Sequence, residues 1–65
     1  MTILTYKNKH SSVYIDLVKT DGKYDIQVYD FILLRNVFIK RGMNRKEALK
    51  VFHHCREQYD CNIEV

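Results

Sequence analysis

The chain reads as an α+β fold, a three-stranded antiparallel sheet packed by one C-terminal amphipathic helix in the order ββ-β-α. Three features carry this expectation: an Asp21-Gly22 turn between two alternating runs, a third β-branched run, and a capped helical stretch near the C-terminus. With no Pro, two Gly and 46% hydrophobic residues, the 65 residues describe one small domain over 1–65 rather than a linker or a disordered tail. So short a chain stands near the lower limit at which a core holds without disulfides, metal or partner subunits. A homodimer is therefore expected.

Residues 1–12 form a lead-in. Met1 to Tyr6 alternates weakly, leaving room for a short edge strand, and Lys7 to Ser12 is a polar connection. Residues 13–31 form the hairpin. A two-residue Asp-Gly loop sets Thr20 opposite Lys23, and every further pair follows from that one. Leu17 then faces Ile26 and Ile15 faces Val28, so these and Val13 make a core face. The other face pairs Tyr14 with Tyr29, Asp16 with Gln27 and Val18 with Asp25.

Phe31 to Gly42 satisfies two templates. As a strand over 35–41, it turns Val37 and Ile39 inward and Asn36, Phe38 and Lys40 outward. As a helix, Asp30 would cap it and Gly42 would end it, giving the alternative of a hairpin followed by two helices. The Val-Phe-Ile run and apolar residues all round the helical wheel favour the strand. Phe31, Ile32, Leu33 and Leu34 then become a connection, an odd place for four large apolar groups. Any that stay exposed make a patch of the kind that marks an interface.

Asn44 followed three residues later by Glu47 is a capping-box pattern that opens a helix over 44–59. Ala48, Phe52, Cys55 and Tyr59 line one side of it, and that stripe needs no ligand to explain it. The tail over 60–65 alternates Cys61, Ile63 and Val65, which suits a second short edge strand.

The formal net charge of +3 is unevenly spread. Residues 13–31 carry four Asp against Lys19 and Lys23. Between 35 and 50, Arg35, Lys40, Arg41, Arg45, Lys46 and Lys50 stand against Glu47 alone. No apolar run reaches the roughly 18–20 residues of a membrane span, and the start lacks a secretion signal's apolar segment. The expected compartment is the cytosol, with Cys55 and Cys61 reduced. His53, His54 and Cys55 invite a zinc reading, but a helix points adjacent side chains about 100° apart, so the three cannot converge on one ion. No metal and no cofactor is expected.

Catalysis finds no converging groups. His10 beside Ser11 and Ser12 has the residue types of a base and a nucleophile, yet sequence neighbours rarely point at each other. Asp16 and Asp25 share a face, but a sheet this small offers no cleft to shift their pKa values. A non-enzymatic recognition domain is the remaining class.

The run of strands ahead of a helix opening NRKEALKVF resembles, over Lys23 to Phe52, the arm-binding domains of tyrosine-type phage integrases and the plant ethylene-response-factor DNA-binding domain. That resemblance implies DNA contact, for which Arg35, Lys40, Arg41, Arg45, Lys46 and Lys50 are the candidates. In those families the exposed sheet face enters the major groove. Here the same face carries Asp16 and Asp25, which repel phosphates. In size and Lys/Ile/Tyr/Asn-rich composition the chain is also similar to phage and mobile-element accessory proteins, including anti-CRISPR and anti-restriction inhibitors. That likeness implies a protein partner met by Tyr14, Asp16, Asp25, Gln27, Tyr29 and Phe38, the aromatics supplying contact area and the carboxylates seeking Arg or Lys. Protein binding ranks first, DNA binding second and a structural homo-oligomer third.

Overall fold

In the computed structural model, which describes residues 1–65, the elements run β1 (Thr2–Asn8), β2 (Val13–Thr20), β3 (Lys23–Asp30), β4 (Arg35–Met43), α1 (Arg45–Gln58) and β5 (Cys61–Glu64). Asp21 and Gly22 take φ of 50° and 78°, the left-handed pair that a twisted two-residue hairpin demands. From there β2 and β3 pair without interruption from Thr20↔Lys23 to Val13↔Asp30. This is the register that the turn alone predicts.

The sheet has five antiparallel strands in the order β4-β3-β2-β1-β5, which corrects the expected three. The lead-in supplies β1, which lies inside the sheet between β2 and β5. Its alternation is weak because a bulge falls between the pairs Thr2↔Val18 and Leu4↔Leu17, so one extra residue breaks the period of two. The tail supplies β5. Only four residues long, it pairs with β1 across more than fifty residues of chain, which no local spacing reports. The alternative with a helix before Gly42 is also excluded, since that stretch is β4.

β4 runs in the expected place with its faces exchanged. At its start Asp30 pairs with Arg35 and Tyr29 with Asn36; continued unbroken, that register would set Val37 against Val28 and Ile39 against Ile26, both inward. Instead the next pair is Val28↔Phe38, followed by Gln27↔Ile39 and Ile26↔Lys40. Val37 is the extra residue of a bulge, and one extra residue turns every later side chain to the opposite face. Phe38 therefore packs against the core, while Ile39 joins the outer surface. A second bulge, where Arg41 and Gly42 stand between Lys40↔Ile26 and Met43↔Tyr24, uses Gly42 at φ 73° and delivers Met43 into the core.

α1 covers one face of the sheet. Asn44 caps it by accepting from the Glu47 amide at 2.8 Å. Glu47 completes no reciprocal bond to the cap; its carboxylate meets Lys40 at 3.4 Å, tying the helix start to β4. Ala48, Phe52 and Cys55 pack on Ile15, Leu17, Ile26 and Val28, and Met43 and Cys61, at either end of the helix, complete the nine-residue core. Burial raises both thiol pKa values, and Asp60 raises Cys61 further. At the far edge the Arg56 guanidinium lies 3.8 Å from the Tyr6 ring centroid, and its Nε donates to the Cys61 carbonyl at 3.1 Å. No helix is long and apolar enough to cross a membrane.

Candidate functional site

The second face of the sheet has no layer over it, because the one helix packs on the other side. Strand pairing lays its side chains out in rows. Tyr29 and Tyr14 form one row between Asn36 and Lys7, and the next contains Ile39, Gln27, Asp16 and Thr5. Rows on one face are two residues apart, roughly 6.6 Å.

The aromatic row is closed by a residue outside the strands. Phe31 sits 4.8 Å, centroid to centroid, from both Tyr14 and Tyr29, at interplanar angles of 79° and 70°. These are edge-to-face contacts, the favoured arrangement for aromatic quadrupoles. The three rings wall a hollow of about 460 Å³, whose remaining lining is Thr5, Asp16, Gln27 and Asn36. Its volume falls within the range of ordinary ligand sites. Asp16 is the only charged residue in the lining. Its carboxylate accepts from the Thr5 hydroxyl at 2.6 Å and from the Gln27 amide nitrogen at 3.3 Å.

Beside the hollow, residues 31–34 turn the chain from β3 to β4. All four side chains are exposed, Ile32 to 79% and Leu34 to 73%. The turn is nevertheless ordered by hydrogen bonds. One Asp30 carboxylate oxygen accepts from the Ser12 hydroxyl at 2.7 Å and from the Ile32 and Leu33 amides at 2.9 and 3.1 Å. The Phe31 amide donates to the Ser12 carbonyl at 3.2 Å. The Ser12 bond first and the Leu33 amide second, with lesser help from the Ile32 amide and the Arg35 charge, together outweigh the opposing effect of burial and hold the Asp30 carboxyl below its usual pKa. Leu34 closes the turn at φ 55°, a left-handed conformation that costs a branched side chain about 1–2 kcal/mol.

Of the residues the sequence offers to a protein partner, the fold gathers Tyr14, Asp16, Gln27 and Tyr29 around the hollow. Asp25 stands apart, one row beyond Gln27, where its carboxylate accepts from the Gly42 amide at 2.9 Å and steadies the second bulge. Phe38 drops out, because the first bulge turns it to the core. Thr5, Phe31 and Asn36 are added. The apolar run at 31–34 hinted at Phe31, whereas Thr5 depends on β1 joining the sheet.

The six basic candidates do not form one surface; only Lys40, Lys46 and Lys50 are grouped, around the start of α1. Arg35 begins β4 beside Asp30, Arg41 borders a separate hollow with Asp25 and Val18, and Lys40 is paired with Glu47. Arg45 lines an apolar cleft with Leu4, Leu17, Tyr24 and Leu49, while Lys46 and Lys50 are exposed on the helix. At about 3.3 Å per residue, Arg35 and Arg41 lie roughly 20 Å apart along the strand. No group of three or more His, Cys, Asp or Glu side chains comes together in a way that could hold a metal ion.

Comparison with known proteins finds no match for this chain among family models, curated proteins or solved structures.

Proposed function

We propose that this chain is a small non-enzymatic protein-binding module that docks through its open sheet face and the adjoining turn at 31–34. The observation that carries this reading is the turn itself. Four consecutive large apolar side chains stand in solvent, held there by three hydrogen bonds to one oxygen of Asp30 and by a strained Leu34. Phe31 is held against Tyr14 and Tyr29, but folding gains little from leaving Ile32 and Leu34 in water, whereas a partner with a complementary apolar surface does. The three rings at its base supply rigid contact area at little entropic cost. The similarity in size and composition to anti-CRISPR and anti-restriction inhibitors directs the search for the partner to host-defence proteins. DNA binding has less to stand on, since the six basic residues do not form one surface and the open face presents carboxylates.

Leu34→Gly separates binding from folding. Removing the side chain relieves the left-handed strain, less the backbone entropy glycine adds, so stability should rise by about 0.5–1 kcal/mol. In a domain of this size that is an increase in Tm of roughly 2–8 °C. Capture of the partner by a photo-crosslinker at Ile32 should fall in the same variant. Capture unchanged by Leu34→Gly would refute the reading. A crosslink to a second copy of the chain would instead establish the homodimer, and a steep salt-dependent affinity for duplex DNA, abolished by Arg45→Glu with Lys46→Glu, would establish the DNA reading.

A further inference from the structure

We propose that the hollow walled by Tyr14, Tyr29 and Phe31 is an arginine pocket, taking one guanidinium side chain of the partner. This inference rests on the reading of the open face as a protein-docking surface and names the chemistry of the group that enters it.

The pocket carries a single charge, and that charge is not neutralised. Asp16 is hydrogen-bonded by two neutral groups, Thr5 and Gln27, and forms no ion pair; the one salt bridge in the molecule joins Lys40 to Glu47 elsewhere. A carboxylate has about four lone-pair positions, so two stay available to an incoming donor. Two bases neighbour the pocket without entering the lining: Lys7, paired across from Tyr14, and Arg41, which borders the adjoining hollow that shares Gln27. A cation entering from solvent therefore meets an attractive site with no resident competitor.

The walls select among cations. Three aromatic rings on one side of a carboxylate provide the cation–π environment that recognises a positively charged group. Tyr14 and Tyr29 stand one row from Asp16 and Gln27, so a side chain whose charge reaches Asp16 lays its methylene stem along the rings. Both cationic side chains have such a stem; the acceptors decide between them. Beside the carboxylate are the Gln27 carbonyl oxygen, left unused when its amide nitrogen donates to Asp16, and the Thr5 hydroxyl oxygen, with the Asn36 amide lining the hollow on the far side of Tyr29. A planar guanidinium offers five N–H donors to such a spread of acceptors and stacks on a ring. An ammonium offers three donors from a point and gives up a tighter hydration shell to enter.

The test is a titration of the ¹⁵N-labelled chain with three blocked tripeptides, acetyl-Gly-Xaa-Gly-amide, in which Xaa is arginine, lysine or the neutral isostere citrulline. The arginine peptide should move the amide signals of Tyr14, Asp16, Gln27, Tyr29 and Phe31, half-saturating at a concentration on the order of millimolar. Asp16→Asn, which keeps an acceptor for Thr5 but loses the charge, should weaken that response about tenfold, the scale of a lost charge-assisted hydrogen bond. If Asp16→Asn loses its dispersed spectrum, Tyr14→Leu tests the same pocket through its wall. No shift at these residues, an equal response to lysine or citrulline, or a response indifferent to the variants overturns the pocket. The titration needs no partner, so it can fail while Leu34→Gly still lowers capture. That result removes the arginine and leaves the docking face standing.

Discussion

Asp30 does the most with a single side chain, since one carboxylate oxygen ties the 9–12 loop to the 31–34 turn through Ser12, Ile32 and Leu33. Its folded pKa lies below the ordinary value of 3.8, so the ionised form is the one the fold favours. The contribution is therefore complete above about pH 5 and is lost as pH falls through the lowered folded value. The Ile32 and Leu33 amide signals should move together with a midpoint below 3.8, and Asp30→Asn should abolish that movement. A midpoint at or above 3.8 would show that these bonds do not favour the carboxylate. Asp30 is readable in the sequence only as a candidate cap for a helix that does not form. The same side chain that could accept first-turn amides accepts the amides of a turn instead, because both offer N–H groups two and three residues ahead.

At the scale of the element, β4 teaches the most. Its existence and approximate span are legible from the Val-Phe-Ile run. Its facing is not, because a bulge is an extra residue opposite a particular partner and exists only once the partner strand is placed. The corrected register makes opposite demands on neighbouring residues. Phe38→Ala should cost about 2–3 kcal/mol, the low side for an aromatic because Phe38 is only partly covered, whereas Ile39→Ser should cost less than about 1 kcal/mol. Denaturant titrations of the two variants decide between the registers, and the reverse ranking would restore the unbulged pairing. The hairpin of β2 and β3 has no such ambiguity. A two-residue turn leaves no room for an extra residue, and apolar-inward alternation agrees with it through Val13, Ile15 and Leu17 on one strand and Tyr24, Ile26 and Val28 on the other.

The whole molecule depends on its two ends meeting. β5 pairs with β1, the Val65 amide donates to the Thr5 carbonyl at 2.9 Å, and Cys61 is fully buried beneath the helix end. Through Thr5 that edge also supports the floor of the proposed arginine pocket. Deleting residues 61–65 should cost about 2–4 kcal/mol through the lost burial of Cys61, the lost ladder and the freed Arg56. A chain of 65 residues has roughly 3–10 kcal/mol of total stability, so a thermal melt should show a large fall in Tm or no cooperative transition. An unchanged melt would mean that β5 is not part of the cooperative fold. By itself the sequence determined the β2–β3 register, the capped helix with its buried stripe and the uneven charge, because each follows from contacts within a few residues or from a turn of set length. Only the tertiary structure decided that the termini are strands, that β4 is bulged and that Phe31 closes a three-ring hollow with Tyr14 and Tyr29. Those features are pairings between distant segments, chosen by which backbone edges and apolar faces remain to be covered once the local elements have formed.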